Sequence, residues 1–285
     1  MFFSLADSDA VPSTYLLSGA KAQPVIPKNG LYLTLKDIQA NAVLGYNIHS
    51  CPTRVISLEN TLNGVIMPLD EVRRISSFAR EHGIRMHCDG ARLWEVVSAG
   101  AGTLPQFCEL FDTVTMCFSK GLCAPVGSVI VGSEETIKHC RWMRTAIGGA
   151  LHKPGLLTAA ARVAVDETFG TKSDGSESRL KKTHQLAKEI EALWIEKGGR
   201  MLLPVDTNMC WLDLDGAVCS DSRFNEIGNS VGLKLDGSRL VAHYQIFQNR
   251  EEVLSRLEAV FSQVLSTSER ESTETKLGRT SKYYL

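Results

Sequence analysis

Asp89 and Lys120 each follow a hydrophobic stretch that is predicted to be a β-strand. Asp89 comes directly after residues 84–88, and Lys120 comes after residues 113–118. Ligands of open α/β sheets bind at the carboxyl ends of the strands. Each of the two residues is followed by glycine, which allows the backbone to approach a ligand closely. The sequence therefore predicts that a carboxylate and an amine lie where such a sheet binds its ligand.

This pair of residue types suits one kind of covalent catalysis. A lysine amine held in a partly desolvated position can form a Schiff base with a carbonyl compound. Pyridoxal phosphate (PLP) is such a compound, and an acidic side chain facing its ring nitrogen lets the ring accept electrons. Residue type and position alone leave two other interpretations open, since Lys120 could be a surface lysine and Asp89 a helix cap.

The segments that would position these residues alternate between strand and helix. A helix is predicted to start at Thr34 or Lys36, and another is predicted to have Pro68 at its first position and to stop at Gly83. The alternation predicts an α/β fold with helices on both faces of a central, mostly parallel sheet. The other predicted strands are 54–58 and 128–131, and the other predicted helices are 91–99, 134–146 and 156–168.

A polar stretch rich in Gly and Ser, residues 170–178, is a candidate domain boundary. We therefore predict a large domain at residues 1–169 and a smaller α/β domain at residues 170–265. The Ser/Thr-rich, charged residues 266–285 are predicted to form a disordered tail. Within the small domain, helices are predicted at 179–197, 222–231 and 251–265, and strands at 209–214 and 240–243.

Composition excludes several classes of protein. The 285-residue chain has a formal net charge of −1, which would not gather nucleic acid or an anionic membrane. No hydrophobic run has the length of a membrane span. The eight cysteines include no Cys-x-x-Cys pair, which favours buried free thiols in a reducing cytoplasm over a disulfide framework or a zinc site. We expect a cytoplasmic protein with no metal, nucleic-acid or membrane partner.

Four sequence motifs occur in an order and at a spacing typical of one enzyme family. They are Leu58-Glu59-Asn60-Thr61, His87-Cys88-Asp89-Gly90-Ala91-Arg92-Leu93-Trp94, Cys117-Phe118-Ser119-Lys120-Gly121 and Ala124-Pro125-Val126-Gly127-Ser128. Together they resemble the threonine aldolases, PLP enzymes of the aspartate-aminotransferase-like fold (fold type I), and fungal members in particular. The likeness extends from about Leu16 to about Leu265.

The resemblance implies a role for each of four residues. Lys120 would hold PLP covalently, and Asp89 would pair with the pyridine nitrogen. Arg92 and Arg239 would bind the substrate carboxylate, for which planar guanidinium groups are well suited. For Arg239 a solvated charge at a strand edge is the alternative.

Other polar residues near these motifs receive no catalytic step. His87 and His243 are expected to be packed histidines rather than bases. Glu59 and Asn60 fall at another strand end and are expected to line the pocket.

The implied reaction is cleavage of threonine-like β-hydroxy-α-amino acids to glycine and an aldehyde. Two alternatives stay open: an amino-acid (alanine) racemase with the same lysine and aspartate, and a catalytically inactive paralogue. The resemblance also implies a homodimer or homotetramer, because active sites of this fold commonly form across a dimer interface.

The sequence departs from the family pattern in three places. The family carries a longer N-terminal segment with a phosphate-binding glycine-rich turn and a ring-stacking histidine, so the large domain is expected to be incomplete at its N-terminus. Cys123 stands where the family has glycine, at a point where the backbone is expected to turn tightly. The loop 148–153 has His152 and Lys153 where the family has Arg-Gln, which removes an arginine associated with the phosphate end of the pocket.

Overall fold

A computed structural model describes residues 2–4, 16–45 and 48–271, with side chains from residue 16 to residue 266. These residues form two compact units. The first comprises the described residues up to His184 together with Asp206–Asn208, and the second comprises Gln185–Val205 and the residues from Met209 onward.

The first unit is built on a six-stranded sheet with the order β2-β1-β3-β4-β5-β6. All strand pairs are parallel except β5 with β6, which is antiparallel. This arrangement confirms the predicted α/β class and its mostly parallel sheet. The strands are β1 (Phe2–Ser4), β2 (Gln23–Val25), β3 (Val55–Glu59), β4 (Arg85–Gly90), β5 (Thr113–Cys117) and β6 (Ser128–Gly132).

The helices of the first unit begin where the sequence supplies capping residues. Thr34 and Asp37 form a reciprocal capping box at the start of α1. A second box, formed by Thr103 and Gln106, starts α4, a short helix that periodicity does not predict. The helices are α1 (Leu35–Asn41), α2 (Leu69–Glu81), α3 (Leu93–Ser98), α4 (Leu104–Cys108), α5 (Glu134–Ala146) and α6 (Gly155–Ala164), the last followed by a π-helical turn at Val165–Phe169.

The two faces of the central strands differ in polarity. Strand pairing aligns Glu59 with Asp89 and Asp89 with Thr115 across β3, β4 and β5, so these side chains share one face. The alternate residues, including Cys88 and Val114, are buried in the hydrophobic core on the other face. The polar side chains therefore project from the face opposite the packed core.

The predicted domain boundary at residues 170–178 lies inside the first unit, because this segment packs on α3. Gly175 lies against the backbone of Ser98. The hydroxyls of Ser98 and Ser178 are hydrogen-bonded at 2.8 Å. The boundary between the compact units falls instead after His184.

The second unit has its own hydrophobic core around Trp194 and Phe261, whose rings make an edge-to-face contact at 4.9 Å. Its two strands are antiparallel. Helix α10 extends to Glu271, so the predicted disordered tail begins too early, and residues 272–285 lie outside the described residues. The elements are α7 (Leu180–Glu196, which begins in the first unit), β7 (Met209–Trp211), α8 (Asp221–Ser230), β8 (Arg239–Val241), α9 (Tyr244–Phe247) and α10 (Arg250–Glu271).

Within the described ranges, every helix is too short or too polar to cross a membrane.

Candidate active site

The sheet topology brings Asp89 and Lys120 to the same edge of the sheet. They come from β4 and β5, which are adjacent and parallel. Asp89 lies inside β4, rather than directly after it as predicted, because the strand extends to Gly90. Lys120 follows the end of β5 by three residues. Their common location at the carboxyl ends of neighbouring strands agrees with the predicted ligand site.

The Asp89 carboxylate is half-buried and held by the backbone. Its Oδ1 accepts a hydrogen bond of 2.9 Å from the Ala91 N–H. Within the described residues Oδ2 has no hydrogen-bond donor, so it can accept one from a ligand.

His87 lies on the same face of β4 as Asp89. One ring nitrogen is hydrogen-bonded to Thr113 Oγ1 at 2.8 Å. Burial lowers the pKa of His87 below its ordinary value, although the charge of Asp89 opposes that shift. The imidazole is therefore neutral near pH 7, which agrees with a packed histidine.

Lys120 belongs to the connection between β5 and β6, which internal hydrogen bonds fix. The Phe118 N–H donates to the Gly127 carbonyl at 3.0 Å, and the Cys123 N–H donates to the Lys120 carbonyl at 2.8 Å. The Lys120 side chain is half-buried, and its amine makes no hydrogen bond or ion pair with any described residue. An ordered backbone thus presents an unpaired amine.

The sequence predicts that the glycines after Asp89 and Lys120 let the backbone approach a ligand. In the structure, both glycines instead make room for neighbouring protein atoms. A Cβ at Gly90 would lie 2.6 Å from the Thr115 carbonyl oxygen on the next strand. A Cβ at Gly121 would clash with Glu95 Oε1. Both glycines are therefore required by close packing within the first unit.

Cys123 has the tight backbone conformation expected from the family's glycine at this position. Its φ of 66° lies in the left-handed region, which L-residues with a Cβ rarely adopt. The thiol donates to the Gly121 carbonyl at 3.3 Å. Burial, and secondarily the charge of Glu95, raises the pKa of this thiol.

Arg92 is the residue immediately before α3 and lies three residues after Asp89. Its side chain is half-buried, and among the described residues it has no hydrogen-bond or ion-pair partner. A half-buried guanidinium without an anionic partner is a strong candidate for binding a carboxylate or phosphate.

Arg239 lies on β8 in the second unit. Its side chain is exposed, with the guanidinium carbon 6.0 Å from the centre of the Trp211 ring. Its role at the substrate carboxylate remains a prediction, as does the packed role of His243, which precedes α9.

The structure corrects the expectation for Asn60. This side chain is 2% exposed, and its amide is bonded to the backbone N–H and carbonyl of Met67 at 3.1 Å and 3.2 Å. Asn60 therefore fastens the turn after β3 and does not line an open pocket. Glu59, at the end of β3, shares the polar face with Asp89.

Sequence reasoning overlooked Glu95 and His184, which are hydrogen-bonded to each other beside the Lys120 connection. The sequence offered one signal: Glu95 is the single charged residue within Leu93–Ser98. The structure shows that all residues of this helix are buried.

The residues at this sheet edge fit PLP. Asp89 offers an acceptor oxygen for a ring N–H, Lys120 offers an amine without a partner, and Arg92 offers an unpaired positive charge. These three groups have the donor and acceptor chemistry that the cofactor and an amino-acid carboxylate need.

Comparisons with known proteins show which family the chain resembles. A family model described as "Beta-eliminating lyase" matches residues 9–217. The chain is 47% identical over 249 residues to the aldolase vrtJ of Penicillium aethiopicum, a match covering 87% of this chain and 62% of the relative. It is 43% identical over 231 residues to the alanine racemase TOXG of Cochliobolus carbonum, covering 81% and 59%.

A low-specificity L-threonine aldolase from Candida albicans is 40% identical over 235 residues, covering 81% of this chain and 61% of the relative. The chain thus spans about 60% of the length of these curated relatives. Among solved structures, the threonine aldolase of Leishmania major superimposes with a TM-score of 0.66 at 19% identity, covering 90% of this chain and 77% of that one. At this identity the superposition shows a shared fold.

Proposed function

The chain belongs to the beta-eliminating lyase family, and from this premise we propose that the protein is a PLP-dependent carbon–carbon lyase of the threonine aldolase type. Its substrates would be β-hydroxy-α-amino acids such as L-threonine and L-allo-threonine, cleaved to glycine and an aldehyde. The observation that carries the proposal is the grouping of Asp89, Arg92 and Lys120 at the carboxyl ends of β4 and β5.

Lys120 and Asp89 would hold the cofactor. The Lys120 amine has no competing partner among the described residues, so it is free to bond covalently to the cofactor aldehyde. Asp89 Oδ2 would accept the ring N–H, while the Ala91 N–H fixes the carboxylate through Oδ1. When bound, PLP supplies an electron sink for the negative charge left on the substrate α-carbon.

Arg92 would bind the substrate carboxylate. A guanidinium binds a carboxylate through two parallel hydrogen bonds, which fixes the orientation of the amino acid as well as its position. Arg239 is proposed as the second carboxylate ligand, on the resemblance of the segment Gly237–His243 to the family motif. The orientation of the substrate would decide which bond to the α-carbon breaks.

Replacing Lys120 with alanine tests the assignment of the cofactor lysine. Purified chain with added PLP should absorb as a Lys120 adduct, which borohydride should fix on the peptide containing residue 120. Lys120→Ala should lose this adduct and the release of aldehyde from threonine, whereas Lys36→Ala, at an exposed lysine of α1, should retain both. A borohydride-fixed adduct that persists in Lys120→Ala would show that the lysine is assigned wrongly.

A racemase is the second candidate, supported by the 43% identity to an alanine racemase. It would use the same lysine and aspartate but remove a proton from the α-carbon. Separate incubations with L-alanine and L-threonine, assayed for D-alanine and acetaldehyde, distinguish the two enzymes. A chain that binds no PLP at high cofactor concentration would favour the inactive paralogue.

We further propose a homodimer or homotetramer in the cytoplasm. The support is the family resemblance for the assembly and the cysteine pattern for the compartment, since all eight cysteines are free. Light scattering on the purified chain would measure the assembly, and microscopy of a tagged chain in a fungal host would give the compartment.

A further inference from the structure

Glu95 is a buried carboxyl group in the middle of α3. It is 1% exposed, and all six residues of this helix are buried. A carboxyl group in such surroundings costs free energy unless neighbouring groups satisfy it, so its contacts show what it does.

One oxygen of Glu95 is bonded and the other is not. Oε2 is 2.6 Å from His184 Nε2 on α7. Oε1 is buried and has no hydrogen-bond partner among the described residues. Oε1 lies against Gly121, at the point where it would clash with an alanine Cβ.

The backbone after Lys120 is therefore enclosed between two helices. Glu95 contacts Gly121 from α3, and Leu180 of α7 would lie 3.3 Å from a Cβ on the same glycine. Burial, and secondarily the charge of Glu95, raises the pKa of the Cys123 thiol at the other end of this segment.

We propose that Glu95 is a positioning residue for Lys120, held by His184 so that its carboxylate packs on Gly121 and fixes the backbone that carries the reactive amine. The inference rests on the proposed function for the role of the amine. Glu95 acts only through the backbone next to Lys120.

The distal end of a flexible glutamate could ordinarily move away from an added methyl group. Here that movement is opposed, because it would break the hydrogen bond between Glu95 and His184. Since all residues of α3 are buried, the break would leave a buried polar group unpaired. An alanine at position 121 should therefore shift the Lys120 backbone and leave Glu95 in place.

Four variants test this contact: Gly121→Ala, Glu95→Ala, the double variant, and Ser76→Ala as a control. Ser76 is 1% exposed and its hydroxyl donates to the Leu110 carbonyl at 2.8 Å, so Ser76→Ala also removes a partly buried hydrogen bond of the first unit. The first measurement is amide exchange at Cys123 and Ala124 in the chain without cofactor. The second is the rate at which PLP forms the Lys120 adduct.

We expect Gly121→Ala to accelerate exchange at Cys123 and Ala124 and to slow adduct formation, each by about tenfold. Glu95→Ala should also accelerate exchange at these amides. Compared with Gly121→Ala, the double variant should show amide exchange that is slower, and adduct formation that is faster, by about threefold or more, since removing the carboxylate removes the clash. Ser76→Ala should leave both measurements unchanged even though it lowers Tm.

The proposal is overturned if Gly121→Ala matches Ser76→Ala in both measurements. It is also overturned if the changes in exchange and adduct formation in the double variant exceed the combined changes of the two single variants. If Glu95→Ala fails to fold, the comparison of Gly121→Ala with wild type and with Ser76→Ala still tests the proposal. If the variants show the expected changes in amide exchange but the wild-type chain forms no PLP adduct, the contact is upheld and the proposed function is rejected. An adduct that forms equally fast in every variant would uphold the function and reject the positioning role.

Discussion

Cys123 stores conformational strain next to the proposed cofactor lysine. A residue with a Cβ in the left-handed region costs about 1–2 kcal/mol, whereas glycine adopts the same φ without that cost. Glycine also loses more entropy on folding, so we expect Cys123→Gly to raise the free energy of unfolding by about 0.5 kcal/mol. Urea unfolding of wild type and variant measures this difference. Cys123→Ala is the control, since it removes the thiol but retains the Cβ, and a gain as large in this variant would contradict the explanation.

Individual site residues differ in how far the sequence could predict them. Asp89 and Lys120 were predictable because each is near the end of a hydrophobic strand, and strand ends locate ligand sites. Glu95 was not, because a glutamate in a short helix usually faces solvent, and its burial depends on α7, about 90 residues along the chain. Asn60 was misassigned because its sequence position does not reveal its two bonds to Met67.

Helix α1 depends on the capping box at its first turn. Thr34 Oγ1 accepts the Asp37 N–H at 3.3 Å, and Asp37 Oδ2 accepts the Thr34 N–H at 2.9 Å. We expect Thr34→Ala to lower the free energy of unfolding by about 1 kcal/mol, because both the hydroxyl acceptor and its contact with Asp37 are lost. Thermal unfolding measures the change. Thr34→Ser retains the hydroxyl and should lose less than half as much, and equal losses in the two variants would show that the hydroxyl is not the cause.

Elements with strong local signals were predicted well, and elements without them were not. The spacing of Val72, Ile75 and Phe78 predicts α2, and all three side chains are buried. Strands β1 and β2 have three residues each, too few for an alternating pattern, and their place in the sheet comes from pairing with distant strands. The segment 170–178 has the composition of a linker, but it packs on α3.

Across the whole molecule, buried thiols should make stability sensitive to alkaline pH. Cys210 is fully buried in the second unit, and burial raises its pKa from 9.0 to about 12. Above pH 9 the unfolded chain loses this proton while the folded chain keeps it, so the free energy of unfolding should fall as pH rises from about 9 towards 12. The expected slope from this thiol is about 1.4 kcal/mol per pH unit.

Urea unfolding between about pH 8 and pH 11 measures that slope. The matched variant is Cys210→Ala, which has no titrating group at this position. Its curve should be flatter than that of wild type by the slope of one thiol. Parallel curves for the two proteins would show that Cys210 does not remain protonated in the folded state.

The connection between β5 and β6 has a kinetic and entropic consequence for whatever ligand reaches Lys120. Both of its ends are fixed by strand pairing, and the bonds from Phe118 to Gly127 and from Cys123 to Lys120 close it internally. The conformational freedom of these ten residues is therefore lost when the chain folds, and little is left to lose on association. Capture of a carbonyl compound by this lysine should thus be preorganised, with a rate governed by access to the amine rather than by ordering of the backbone.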